Sequence, residues 1–173
     1  MQLQAELGEI PGRIQNQRER IENCRKDIAW YETSTILTEK KQRAILRETL
    51  HRLLLENEMR EDEREAFLYQ GFQIILPANM LKEKTFVYIQ GKGRYYVELG
   101  GTESGDLIRI DHFLESFPEY LDKQQNALTR LLERETAIKK LLKKNENYGD
   151  EIQRLKKELN ALDNELGVKT DGK

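Results

Sequence analysis

Residues 67–118 read FLYQGFQIILPANMLKEKTFVYIQGKGRYYVELGGTESGDLIRIDHFLESFP, and the fold turns on how they are read. Tyr69, Phe72, Ile74 and Leu76 open a run of strand-forming residues, and Phe86, Tyr88, Tyr95, Val97 and Leu99 extend it. The spacing predicts strands over 69–76, 85–90 and 94–99, with Pro77 to Lys84 as a loop between the first two. Gly91-Lys92-Gly93 reads as a hairpin connection whose glycines supply positive φ. Leu107, Ile108 and Ile110 read as a fourth short extended piece, with Asp111 capping the helical turn behind it.

Toward the N-terminus the pattern becomes helical. Thr38 reads as an N-cap, and Ile45, Leu46, Leu50, Leu53 and Leu54 form a broad apolar face that wants a sheet to cover it. His51 falls at the edge of that face, where a lone histidine reads as structural. The charged run Arg60–Glu65 is expected to carry this helix to a turn. A small α+β head over 38–117 follows, with Leu46, Leu50, Leu53, Phe72, Ile74, Phe86, Tyr88, Val97 and Leu99 expected to supply most of its core. Further upstream, Ile14, Gln17, Ile21, Cys24, Ile28 and Tyr31 step by three and four, a coiled-coil seam over 12–31 with one polar interruption. Arg13, Arg18, Arg25, Lys26 and Asp27 read as its exposed face, and residues 1–11 as a leader.

Toward the C-terminus, Pro118 opens the longest helix, expected over 118–147. Its seam is Leu121, Gln124, Leu128, Leu131, Glu135, Ile138 and Leu142. Asn145, Asn147, Tyr148 and Gly149 predict a break, and a separate helix over 150–166 carries Ile152, Leu155, Leu159, Leu162 and Leu166, its phase slipped by one residue. The fold class is therefore α+β: a small antiparallel sheet with a packed helix, on a long antiparallel helical coiled-coil stalk. The helices 12–31 and 118–147 are expected to pair.

Composition limits the function classes. Charged residues are 35% and hydrophobic residues 38% of the 173 residues, a balance suited to long helices burying narrow stripes. A formal charge of −2 supplies no global attraction to nucleic acid or to an anionic membrane. The single cysteine, Cys24, cannot close an internal disulfide and lies on the seam, so it reads as a small buried hydrophobe in a reducing compartment. No apolar run approaches the ~20 residues of a membrane span, and a cytoplasmic protein is expected. It is either free-standing or a piece of something larger.

Catalytic motifs are missing. Two histidines and one cysteine far apart in sequence offer no metal-ligand spacing, and no cofactor is expected. Gly91-Lys92-Gly93 lacks the rest of a G-x-x-x-x-G-K-[ST] loop and reads as a turn. The pattern does carry cations in two places. Lys139, Lys140, Lys143 and Lys144, with Arg130 and Arg134 upstream, form a basic block on the long helix. Lys82, Lys84, Lys92 and Arg94 form a second near Tyr95 and Tyr96. Each reads either as a phosphate-contacting surface or as a solvated face with interspersed acids, and the second reading is favoured.

Tyr69-Gln70-Gly71-Phe72, Tyr96-Val97-Glu98-Leu99-Gly100, and above all Gly105-Asp106-Leu107-Ile108-Arg109-Ile110-Asp111 with Leu114-Glu115 and Pro118 carry a resemblance. Over roughly residues 10–166 the chain resembles the C-terminal coiled-coil/β segment of large DNA helicase–methyltransferase proteins of bacterial conjugative elements and phages. In that family the last motif usually reads Gly-Asn-hydrophobic-x-Arg-Ile-Asp-Asn, and a Pro-Phe-Pro break often follows the long helix, where this chain has Asn145–Gly149. Motor and methyltransferase motifs are absent here, so the catalytic activities are not carried over. The resemblance implies a mobile-element origin. The expected function is a non-catalytic protein-interaction module with a nucleic-acid-processing partner. One form of it is an anti-CRISPR-like inhibitor of a host defence nuclease. The alternative is a DNA-binding appendage that uses its basic helix faces, with weak DNA contact and no membrane.

Overall fold

A computed structural model describes residues 2–34, 39–57, 60–78 and 84–171, with side chains up to Leu166. The order of elements is α1 (Gln2–Thr33), α2 (Lys40–Asn57), β1 (Arg64–Tyr69), β2 (Phe72–Leu76), β3 (Phe86–Gln90), β4 (Arg94–Glu98), α3 (Glu103–Glu115) and α4 (Phe117–Asp171). The fold is α+β, with one four-stranded antiparallel sheet in the order β1-β2-β3-β4. The chain forms two compact units, Asn16–Ala127 and Met1–Gln15 with Leu128–Lys173.

In the unit Asn16–Ala127 the sheet is a meander whose turns explain its register. Gln70 and Gly71 both have positive φ, 51° and 83°, so Tyr69 and Phe72 face each other across a two-residue turn that matches the twist of the strands. The expected single strand over 69–76 is thus two strands. The expected charged helix end at Arg60–Glu65 gives way to strand from Arg64, because Glu65-Ala66-Phe67 takes a bulge that pairs with Ile74 and Ile75. Gln90 and Arg94 close the second hairpin. Neither Gly91 nor Gly93 has positive φ; the expectation there is corrected. They are glycines for room: a Cβ at Gly91 would lie 2.4 Å from Asp27 Oδ1, and one at Gly93 would lie 2.8 Å from the Tyr95 hydroxyl.

One sheet face is the core. Phe72, Ile74, Leu76, Val87, Ile89, Tyr95 and Val97 are buried against Leu50 and Leu53 of α2, Leu107, Ile110 and Leu114 of α3, Cys24 of α1 and Phe117 of α4. Phe117 stands at the centre of the aromatic packing, 5.7 Å from Phe72, 5.0 Å from Tyr95 and 5.2 Å from Phe113 between ring centroids. The expected extended piece at 107–110 is helical. Thr102 is the cap, its side chain accepting from the Gly105 amide at 3.2 Å, and its extended backbone lets α3 begin one residue later. Asp111 therefore lies inside α3 rather than capping it. The expected Thr38 cap falls outside the described residues.

Within this unit α1 and α4 run antiparallel, since Gln17 meets Gln124 while Tyr31, two turns or more along α1, meets Phe117. Two of the three polar interruptions of the seams satisfy each other: Gln17 Nε2 donates to the Gln124 carbonyl at 2.8 Å and to its Oε1 at 2.9 Å.

The other unit has its own apolar cluster. Ile10, Ile14 and Ile138 are buried, with Leu3, Leu7, Leu128, Leu131 and Leu142 packed around them. The expected leader 1–11 is helix from Gln2 onward, and its Leu3, Leu7 and Ile10 continue the seam backward by fours and threes; Pro11 is inside the helix. The expected helices 118–147 and 150–166 are one helix, and Asn145–Gly149 lies within it. The intrinsic penalty of one Gly and two Asn is about 1–2 kcal/mol, too small to interrupt a helix of otherwise good formers.

Candidate interaction surfaces

Carboxylates organise the loops of the sheet-bearing unit. Asp27, only 3% exposed, accepts from the Lys92 amide at 2.7 Å, the Gly93 amide at 2.9 Å and the Tyr95 hydroxyl. It fastens α1 to the β3–β4 turn. Burial, and then the bond to Asp27, push the Tyr95 phenol far up, and burial pushes the Cys24 thiol up to about 11. Cys24 is fully buried, as the seam required. Asp106 accepts from the Gly100 and Gly101 amides at 3.0 and 2.9 Å. Asp111 accepts from Arg43 and from the Tyr69 hydroxyl, and Arg43 Nη1 donates to that hydroxyl at 3.1 Å. Burial first, and Asp111 next, raise the Tyr69 phenol to about 12. Asp27 and Asp111 join segments distant in sequence, whereas Asp106 fastens the loop just before its own helix. Arg109 does not pair with Asp111; its Nη1 lies 3.5 Å from the Glu98 carbonyl.

Several of the predicted cations are already engaged. Arg134 binds Glu6 through two bonds, at 2.7 and 2.9 Å, and that bond holds the Glu6 carboxyl below its usual range. Lys139 lies 3.3 Å from Glu135, and Arg94 reaches Glu63 at 2.8 Å and Gln90 at 3.1 Å. Arg130, Lys140, Lys143 and Lys144 are exposed on α4 and hold no ion pair among the described residues, although Lys144 Nζ lies 5.7 Å over the Tyr148 ring. Lys92 is exposed at the hairpin, and Lys84 lies 3.9 Å from Glu98. Lys82 is outside the described residues. The helix cations and the hairpin cations fall in different compact units.

The outward sheet face is the feature that sequence reasoning missed. Phe86, Tyr88 and Tyr96 form one aromatic cluster, with centroids 4.7 Å apart for Phe86–Tyr96 and 5.4 Å for Phe86–Tyr88. Tyr96 is 48% exposed, and the Arg94 guanidinium lies 5.0 Å over Tyr88. Phe86 and Tyr88 were expected in the core, but strand alternation puts Val87 and Ile89 there instead. A second surface is an open cleft of about 510 Å³, lined by Lys26, Trp30, Thr33, Gly71, Phe72 and Lys92. Trp30 is half exposed and lies on Gly71, where any Cβ would come within 2.4 Å of its indole nitrogen.

Among the described residues no three His, Cys, Asp or Glu side chains converge as a metal-holding group, and no helix is long and apolar enough to cross a membrane. Comparison with protein-family models, curated proteins and solved structures finds no match to this chain.

Proposed function

We propose that the chain is a non-catalytic protein-interaction module. The observation that carries the reading is the outward-facing Phe86–Tyr88–Tyr96 cluster, with Phe86 and Tyr88 half-buried and Tyr96 exposed. A solvated sheet face normally alternates to polar residues, and clustered aromatics beside an arginine have the composition of interaction hot spots. The engagement of Arg94, Arg134 and Lys139 by carboxylates supports a protein partner over bare phosphate. The resemblance to segments of mobile-element helicase–methyltransferases directs the search to nucleic-acid-processing partners. An inhibitor of a host defence nuclease, working in the cytoplasm, is the form of the proposal we would test first. The α1–α4 pairing is read as coiled coil.

The experiment is a pull-down from host lysate, nuclease-treated and repeated at raised salt, with wild type and a Tyr88→Ala/Tyr96→Ala variant. A stoichiometric protein partner that survives both treatments and is lost with the variant supports the module. Truncating such aromatics costs about 2 kcal/mol of binding each, while the variant's melting temperature should change little.

Exposed Lys140, Lys143 and Lys144 favour a second reading, a DNA-associated appendage. On that reading duplex affinity falls steeply with salt, and neutralising two of the lysines lowers the log–log slope by about two.

A further inference from the structure

We propose that α4 pairs, from Tyr148 to Leu162, with the same stretch of a second copy of this chain, parallel and in register. The inference goes beyond the reading of the sheet face and does not depend on it.

Five large apolar residues recur on α4 at intervals of four and three: Tyr148, Ile152, Leu155, Leu159 and Leu162. They are 51%, 51%, 49%, 58% and 57% exposed, so about half of each is left in water. The apolar cluster that α1 supplies in this unit takes Ile138 and Leu142 as its last α4 members, and every α4 residue from Lys143 to Leu166 is exposed. The stripe is therefore a helix seam that no other described element of the chain covers; only Lys144 of the same helix reaches over the Tyr148 ring. Its phase differs by one residue from the seam that faces α1, as expected of a surface meant for another helix.

The residue types say which helix. In heptad terms Ile152 and Leu159 take the a positions and Tyr148, Leu155 and Leu162 the d positions, and one heptad earlier Asn145 takes a. The β-branched Ile152 at a, with Leu155 and Leu162 at d, and the one asparagine at a, favour two parallel strands in fixed register, while Leu159 at a is neutral to that choice. Charge agrees. Glu151 and Glu158 take g positions, Lys156 and Asp163 take e. In a parallel pair g meets the following e of the partner, giving two symmetric Glu151–Lys156 attractions and two Glu158–Asp163 repulsions. In the antiparallel pairing that overlaps the whole stripe, Glu158 faces Glu158, Glu151 faces Glu165 and Lys156 faces Lys156, all of like sign. Parallel pairing of identical chains is the arrangement the flanking charges permit. Within the chain Glu151 and Glu158 have only Arg154, at 3.9 and 4.0 Å on an exposed face, to compete.

The test is light scattering and sedimentation equilibrium on the full chain from about 1 to 200 µM, the range in which a pairing this short should report. Dimer is expected, with a dissociation constant raised at least tenfold by Leu155→Lys/Leu159→Lys. Lys156→Glu should weaken it, and adding Glu151→Lys to that variant should restore it. Asn145→Cys in a Cys24→Ala background should give a disulfide-linked dimer under mild oxidation, which an antiparallel pair cannot form. Circular dichroism checks that each variant keeps its helix. A monomer throughout the range, a dimer indifferent to Leu155→Lys/Leu159→Lys, or a dimer that does not crosslink at position 145 overturns the proposal. So does a heterologous protein that occupies the stripe while wild-type chain stays monomeric.

Discussion

Asp27, Asp106 and Asp111 show how single buried or half-buried carboxylates hold loops in place where the apolar core alone does not reach. Asp27→Ala leaves two amides and the Tyr95 hydroxyl without their acceptor in a buried place. At ~1–3 kcal/mol for each unsatisfied group, it should lower unfolding free energy by about 3 kcal/mol or more in urea titration. Tyr69 gives a pH prediction. Its phenol is raised from 10.0 to about 12 in the folded chain, so the unfolded chain loses that proton first as pH rises. Its contribution is complete below pH ~10 and disappears between roughly 10 and 12. The urea midpoint should fall across that interval, and Tyr69→Phe should fall less steeply. These roles were not legible in sequence. Asp27 stands among Arg25, Lys26 and other charged residues, and only the close approach of Gly91 and Gly93 shows that it faces inward. Asp111 beside Arg109 suggested a cap, because its partners Arg43 and Tyr69 are 68 and 42 residues away.

Elements with strong periodicity were readable, and those decided by phase were not. Ile14, Ile21, Cys24 and Ile138 all lie buried where the three-four spacing put them. Strand β3 carries two alternating sets, Phe86 with Tyr88 and Val87 with Ile89, and nothing in the strand's own sequence says which faces inward. The β-branched set, Val87 and Ile89, is inside. Ile89→Ala should therefore cost about 2–5 kcal/mol, whereas half-buried Phe86→Ala should cost less than Ile89→Ala in the same denaturation assay. The break expected at 145–150 rested on residues of low helix propensity, but propensity loses to a long helix already nucleated on both sides. A Cβ at Gly149 meets nothing within 4 Å. Gly149→Ala should accordingly raise stability or helicity by about 0.5–1 kcal/mol, seen by thermal melting followed at 222 nm.

At the scale of the whole molecule, net charge makes the two proposed readings of function differ in what a DNA titration should show. A chain of −2, with Arg94, Arg134 and Lys139 occupied by acids, should bind duplex DNA no more tightly than about 1 µM at physiological salt, measured by fluorescence anisotropy. The aromatic sheet face and the stripe from Tyr148 to Leu162 both leave apolar area in water, and neither is visible from composition, which averages buried and exposed residues alike. The fastening of the β3–β4 turn by Asp27 has a kinetic side. The amides of Lys92 and Gly93 end on a carboxylate 65 and 66 residues earlier in the chain, so the hairpin can close its ladder while these two protons still exchange with solvent. Deuterium uptake at those two amides is then a clock for the docking of α1, separate from uptake along β3 and β4, and a partner that tightens or loosens α1 would change that clock first.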